Sequence, residues 1–287
     1  MKKKIRLDSY LTENKYYESK SKAQAGILAG DVKLNGETIH KSSYLLDSEK
    51  EYNIEIKSLR YVSRGGLKIE KALKTFKIDL VNRICLDAGA STGGFTDCML
   101  KNKAKYVYSV DVGYGQLAWV LRNCDKVKVV ERTNIKNCDL EDIYDPEDIL
   151  PTFCAMDLSF ISIIKVLENI KKLMNKEKKE IVALIKPQFE AGKESVGKNG
   201  VVRDKRIHIK IIIDIIKKAS ELNFKTLGLD YSPIKGPKGN IEYLIHLEET
   251  TDEINNPIEK FKEEEIELLV NNAFENLNKG NNDENNC

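Results

Sequence analysis

The chain has 287 residues and a mass of 32.7 kDa, with 41% hydrophobic and 32% charged residues and a mean hydropathy of −0.42. That is enough apolar material for two domains or one large one, and no run approaches the roughly 20 consecutive apolar residues of a membrane-spanning helix. The net charge of +2 conceals an asymmetry: residues 1–80 carry 17 Lys/Arg against 11 Asp/Glu, residues 81–247 carry 27 against 22, and residues 248–287 carry 3 against 12. A basic body behind an acidic tail suits a polyanionic partner, although ordinary surface solvation accounts for the charge equally well.

The opening MKKKIRLDSYL is basic but has no apolar core or small-residue cleavage site, so it does not read as a secretory signal. Residues 1–57 read as a small α/β module. Ile5, Leu7, Tyr10 and Leu11 fall at helical spacing, Ser19–Leu28 forms a second helix ending at Gly30, and Val32–Leu34 and Tyr52–Ile56 are short strands, with an Asn35-Gly36 turn. A linker follows over 58–64, rich in Ser and Arg, and Lys68–Phe76 begins a new helix. From there to residue 250, short apolar runs alternate with helical patterns. The predicted strands are Ile84–Asp87, Tyr106–Asp111, Lys128–Glu131, Cys154–Asp157, Ile181–Ile185, Thr226–Asp230 and Tyr243–Leu247. Such alternation implies a parallel, doubly wound sheet of seven strands. Residues 251–287 form an acidic tail, with one amphipathic stretch, Ile258–Leu277, that packs on the domain, and an end too polar to fold. Six scattered cysteines without a C-x-x-C pair, and only three histidines, predict reduced thiols, no metal site and a cytoplasmic protein.

The segment ICLDAGASTGGFTDCML is a buried strand, a glycine-rich turn and a helix. Gly89, Gly93 and Gly94 permit tight backbone geometry and close ligand approach, and Asp111, 22 positions after Gly89, ends the next strand where a carboxylate can accept both ribose hydroxyls of an adenosine. A dinucleotide fingerprint would have glycine where Ser91 stands, and Asp87 at the strand end would repel a pyrophosphate while suiting a cationic amino-acid moiety. The turn therefore favours S-adenosylmethionine over NAD. The candidate cofactor contacts are Asp87, Gly89, Ser91, Gly93, Gly94, Asp111 and Asn134.

Three charged residues are expected just beyond the carboxyl ends of strands, where open α/β sheets carry their chemistry: Asp157 in FCAMDLSF, Lys186 in IVALIKPQFE and Glu242 in GPKGNIEYLIH. A lysine at the end of a buried strand is desolvated, which disfavours its charge and suits it to general-base work on a hydroxyl. A structural ion pair with Asp157 accounts for it as well.

The N-terminal pattern, Arg6-Leu-Asp8, Ser19-Lys20-x-x-Ala23 and Gly30-Asp-Val-Lys-Leu-Asn-Gly36, resembles an S4 RNA-binding module, with Lys20 where that pattern usually has Arg. YVSRGGLKIEKAL, LDAGASTGGFTD, DLSFIS, LIKPQFEAGKESVGKNGVVRD and GNIEYL together resemble the TlyA family of ribosomal RNA 2′-O-methyltransferases, once described as haemolysins, whose catalytic domain is FtsJ-like. The resemblance spans about residues 5–247. It implies a Rossmann-like class I methyltransferase fold over 65–250 with an S4-like domain before it, S-adenosylmethionine as cofactor, and cytidine of 23S and in some members also 16S rRNA as substrate. It also implies a Lys-Asp-Lys-Glu tetrad on Lys68, Asp157, Lys186 and Glu242; from the residues alone Lys68 reads as a solvated helix position. In the mechanism this suggests, Lys186 is positioned by Asp157 and Glu242 while Lys68 holds the nucleotide. RNA contacts are expected from Arg6, Lys20, Lys22, Lys33, Arg60 and Arg64, with Lys3, Lys4 and Lys41 adding charge, and the linker residues Arg60–Val62 are expected to couple RNA contact to cofactor binding. Two other readings are a membrane-active haemolysin, which the acidic character of the amphipathic stretch disfavours, and a non-catalytic S4-type RNA-binding protein.

Overall fold

The computed structural model describes residues 4–17, 19–28, 30–48, 50–56, 60–177, 179–251, 257 and 261–279. Lys3, linker residues 57–59 and the polar end 280–287 lie outside the described residues. The chain divides into two compact units, Met1–Arg60 and Tyr61–Cys287.

In the first unit, β1 (Lys4–Arg6) pairs antiparallel with β4 (Leu45–Asp47), and β2 (Val32–Leu34) lies between β3 (Glu37–Thr38) and β5 (Ile54–Ile56). Helices α1 (Leu7–Glu13) and α2 (Lys20–Leu28) cover a small core of Leu7, Leu11, Ala23, Ile27, Val32, Leu34 and Leu46. The β2–β3 turn takes positive φ at both Asn35 (52°) and Gly36 (89°), the backbone that an Asn-Gly hairpin favours. Ile5, which the helical spacing groups with Leu7, instead lies in β1 opposite Leu46. Strands of two or three residues are too short to show a periodicity of their own.

The second unit opens with α3 (Gly66–Thr75) and continues through β6 (Ile84–Ala88), α4 (Gly94–Lys101), β7 (Tyr106–Val110), α5 (Trp119–Arg122), β8 (Val127–Val130), β9 (Phe153–Met156) and α6 (Ile164–Leu173). It ends with β10 (Glu180–Ile185), α7 (Pro187–Glu190), α8 (Lys205–Glu221), β11 (Phe224–Tyr231), β12 (Tyr243–Glu249) and α9 (Glu263–Lys279). The seven strands are ordered β11-β12-β10-β9-β6-β7-β8. Expected as parallel throughout, the sheet is mixed: β12 runs antiparallel to both β10 and β11. The physical reason is the connection 232–242, which is too short to hold the crossover helix that a parallel pair requires.

The central strands are buried on both faces, which is why they read as unbroken apolar runs. Along β10, Ile181, Ala183 and Ile185 join one core with Ile212 and Ile216 of α8, while Val182 and Leu184 join another with Ile69 and Ala72 of α3. Helix α8 is fixed at its start by Asp204, whose side chain accepts Arg206 N at 2.9 Å. The anticipated tail helix is α9: its Ile266, Val270 and Ala273 are buried in the same core as α8, so this part of the acidic segment belongs to the domain. After β8 the chain crosses back to β9 on the other side of β6, and ligands of open α/β sheets bind at that switch point, beyond the carboxyl ends of the strands.

Candidate active site

The glycine turn after β6 is pinned to the end of β7, with Gly89 N and Ala90 N both donating to Val110 O. Gly89 has φ of +89°, and a Cβ there would stand 2.8 Å from the carbonyl oxygen of Asp157, which follows β9. Glycine thus lets the two strand ends meet at the switch point. Gly93 and Gly94 also serve packing, Gly94 while lining the pocket beside the turn. A Cβ on Gly93 (φ +92°) would collide with Leu121, and one on Gly94 with Ser63 Oγ and Gly66 N, so Gly94 lets α4 pack against the segment that opens α3.

Asp111 accepts Ser91 N at 2.8 Å on Oδ2 and Gly113 N at 2.7 Å on Oδ1. Each oxygen keeps a lone pair, and the carboxylate lines a cleft of about 490 Å³ with Gly89, Ser91, Asn134 and Asp157. Asn134 Oδ1 meanwhile accepts Lys136 N at 3.1 Å. Asp87, expected to face the ligand, is instead fully buried beneath the turn and absent from the lining of this cleft. Its Oδ2 accepts both N (2.8 Å) and Oγ1 (2.6 Å) of Thr96, whereas Oδ1 has no protein partner. Burial pushes its carboxyl pKa up to about 7 against the pull of the Thr96 bonds.

A second pocket of about 220 Å³ shares Gly89, Ser91, Asp157 and Ser159 with the cleft and adds Lys68, Lys186 and Glu242. Lys68, on α3, is 7% exposed, and its Nζ donates to Glu242 Oε2 at 2.7 Å and to Asp157 Oδ2 at 3.4 Å. Lys186, where Pro187 ends β10, has Nζ 2.6 Å from Asp157 Oδ1, a close ion pair rather than an aligned hydrogen bond, and donates to Ser159 Oγ at 3.1 Å. Asp157 therefore bridges the two lysines. Glu242 is bonded to Lys68, and among the described residues it forms no ion pair with Lys186, contrary to the arrangement expected from sequence.

Burial opposes charge on Lys68, but Asp157 and Glu242 overcome it and raise its pKa. Burial likewise opposes charge on Asp157, and Lys68 and Lys186 win, holding its pKa below the ordinary value. Both groups are charged at neutral pH. Lys68 gives no sign of burial in its own sequence context. Ser159 and Gly236 also escaped the sequence reading, although each sits inside a singled-out motif, DLSF and GPKGN. A Cβ on Gly236 would stand 2.5 Å from Glu242 Oε1, so glycine is what lets that carboxylate lie buried.

Residues 61–249 match the family model of FtsJ-like methyltransferases, and residues 5–51 that of the S4 domain. Hemolysin A of Brachyspira hyodysenteriae is 46% identical over 243 residues, covering 84% of this chain and 99% of the relative. The 16S/23S rRNA (cytidine-2′-O)-methyltransferase TlyA of Mycobacterium tuberculosis is 39% identical over 253 residues, covering 88% and 92%. The chain belongs to the TlyA family of FtsJ-like methyltransferases. A solved structure of a hemolysin-named protein from Streptococcus thermophilus, 40% identical, superposes with a TM-score of 0.75 over 98% of this chain and 100% of the other.

The S4 unit of this family member presents its candidate RNA contacts around one buried acid. Asp8, fully buried, accepts Arg6 Nη2 at 2.6 Å and Gln24 Nε2 at 2.8 Å, and lies 4.0 Å from Lys20 Nζ. The Arg6 hydrogen bond, above all, holds the Asp8 carboxyl far below its ordinary pKa against the effect of burial. Arg6 and Lys20 are thereby positioned while remaining 43% and 52% exposed. Lys22 and Lys33 are exposed on the same unit, and Arg64 is exposed on the catalytic unit between Ser63 and Gly65 of the tetrad pocket. Among the described residues no helix is long and apolar enough to cross a membrane.

Proposed function

We propose that this protein is a ribosomal RNA 2′-O-methyltransferase that acts in the cytoplasm on a cytidine ribose with S-adenosylmethionine as donor. The observation that carries the reading is the Lys68–Asp157–Lys186–Glu242 cluster, buried beside the glycine turn at the switch point of an FtsJ-like domain. The names of the Mycobacterium tuberculosis relative and of the Campylobacter jejuni 23S rRNA (cytidine-2′-O)-methyltransferase TlyA, 35% identical over 194 residues, supply the substrate class.

The residues of the cleft fit the cofactor. The free lone pairs of Asp111 match a ribose diol, and the unpartnered, buried Oδ1 of Asp87 matches an ammonium group reached directly or through water. When bound, the cofactor supplies a methyl group made electrophilic by a sulfonium. The protein side consists of orientation and charge. Lys186 Nζ, steered by Asp157 and Ser159, orients the target 2′-hydroxyl and, as an ammonium, stabilises the negative charge that develops on its oxygen as the proton leaves to solvent. Lys68, its charge secured by two carboxylates, is a fixed cation that holds Asp157 in place, not a mobile arm for the nucleotide. Holding reactants in such alignment accounts for roughly 7–11 kcal/mol of barrier lowering in well-oriented systems.

The test is mass-spectrometric mapping of ribose methylation in rRNA exposed to the wild-type protein or to Lys186→Ala. Methylated cytidine with the first and none with the second is the expected result, with cofactor binding retained by both. The reading fails if the wild-type protein methylates no ribose, or if Lys186→Ala turns over as fast as wild type.

A further inference from the structure

Many cations of the catalytic unit are paired: Lys71 with Asp230, Lys101 with Asp97, Lys128 with Asp145 and Asp148, and Arg122 with Glu131. Three on the two segments joined by Asn240, one of which brings Pro237 to the tetrad pocket, are not. Among the described residues, Arg203, Lys235 and Lys238 have no carboxylate within ion-pair distance, and the one side-chain partner of Lys235 is a neutral amide, Asn278 Oδ1 at 2.7 Å.

Their grouping is built into two interlocked loops. Asn240, 2% exposed, accepts Val202 N on Oδ1 at 3.1 Å and donates from Nδ2 to Gly200 O at 2.8 Å, which ties the 200–203 segment to the β11–β12 loop. That loop closes on itself through Gly236 N to Asn240 O (2.9 Å) and Gly239 N to Gly236 O (2.8 Å). Arg203 directly follows the clamped Val202. The side chain of Lys238 lies over Gly200, with Nζ 3.8 Å from where a Cβ there would stand. Burial and then the charge of Arg203 push the Lys235 pKa down, so the two cations feel one another. The same loop touches the reaction centre: Pro237 lines the tetrad pocket and Gly236 lies against Glu242.

Like charges held together without a counter-ion destabilise a fold unless a ligand neutralises them, so such a cluster marks an anion site. The chemistry of the pocket says which anion. The carbon bearing a 2′-hydroxyl is bonded to the carbon bearing the 3′-oxygen, so a ribose presented to Lys186 brings its phosphodiester to the rim. We propose that Arg203, Lys235 and Lys238 form a docking site for the RNA phosphates flanking the target nucleotide, separate from the basic residues of the S4 unit. The proposal rests on the reading of the chain as an RNA methyltransferase and adds to it where the substrate strand is held.

The experiment compares the full-length protein with the combined variant Arg203→Gln/Lys235→Gln/Lys238→Gln, using rRNA as substrate over a range of salt. The expected result is a KM for RNA raised at least tenfold, a change carried by KM rather than kcat, a slope of log affinity against log salt reduced by about 2, and unchanged cofactor affinity by calorimetry. Equal KM and equal salt slope in a wild-type protein that does methylate RNA overturn the proposal while leaving the parent reading intact. A loss of cofactor affinity alongside the raised KM overturns it too, because the residues then support the fold. Asn278→Ala keeps the charge of Lys235 and removes its anchor; RNA affinity close to wild type supports the phosphate role, and a loss matching the triple variant assigns Lys235 to α9 and overturns it. Absence of any ribose methylation by the wild-type chain removes the parent reading, and this proposal with it.

Discussion

The pairing within the tetrad makes a quantitative prediction. Lys68 Nζ and Glu242 Oε2 are 2.7 Å apart with both side chains under 10% exposed, whereas Lys186 contacts Glu242 only indirectly, through Asp157 and Lys68. At an effective dielectric constant of about 20, two charges at that distance attract with about 6 kcal/mol, most of which desolvation offsets. A net coupling of about 2 kcal/mol is expected for contacting residues of this kind. Lys68→Met, Glu242→Gln and the double variant, melted by circular dichroism at pH 7, should therefore be non-additive by roughly 4–8 °C, given about 2–4 °C per kcal/mol for a domain of this size. The parallel cycle with Lys186→Met and Glu242→Gln should show less than half that coupling. Equal coupling in the two cycles, or additivity in the first, would refute the geometry in which Glu242 secures Lys68.

Asp87→Asn should flatten the pH dependence of stability. The folded-state pKa of about 7 lies above the ordinary 3.8, so the folded protein takes up a proton, and the advantage of the neutral form is present below about pH 4 and lost as pH rises through 7. Relative to wild type the variant should gain stability between pH 5 and 8.5, by on the order of 4 kcal/mol at most, and Tm curves that run parallel over that range would contradict this. Asp111→Ala should weaken cofactor binding ten- to a hundredfold by calorimetry, because hydrogen bonds to a charged acceptor are lost together with the anchor for Ser91 N. Gly93→Ala should destabilise the domain by about 1–3 kcal/mol in urea melts, through a positive φ and a collision with Leu121 on α5 rather than through lost ligand contacts.

The catalytic domain was legible in sequence because its strands are long and buried on both faces. Five or six consecutive apolar residues, as in Ile181–Ile185, leave few alternatives once helical periods flank them, and all seven predicted strands of the domain emerged at their expected positions within about two residues. The reversed direction of β12 was not legible, since a strand carries no mark of polarity; only the length of the loop before it constrains that, and the GPKGN segment reads equally as a turn or as part of a crossover. In the S4 unit the short strands β1, β3 and β4 had no pattern to show, and Ile5 satisfied helical spacing by coincidence with Leu7 and Tyr10.

The site divides along a different line. Asp111, Asp157 and Lys186 were accessible to reasoning because each terminates an apolar run, and the end of a buried strand is where a charge must have a purpose. Lys68 sits on a helix among Lys71 and Lys74, and nothing in its neighbours distinguishes it from them; what buries it is the arrival of β12 and Glu242 from 174 positions away. Asp87 differs. Its predicted strand ends on it as the next one ends on Asp111, yet β6 runs on to Ala88 and Thr96 from α4 folds over the carboxylate, leaving a buried acid with one open oxygen. Local sequence identifies which charges leave a strand end, but whether the next helix covers them is decided by tertiary packing. A cofactor ammonium group reaching Oδ1 would therefore favour the carboxylate and release the proton that burial retains. Calorimetry of cofactor binding in buffers of different ionisation enthalpy at pH 6 should show net proton release, absent in Asp87→Asn, and release that persists in the variant would place the proton elsewhere.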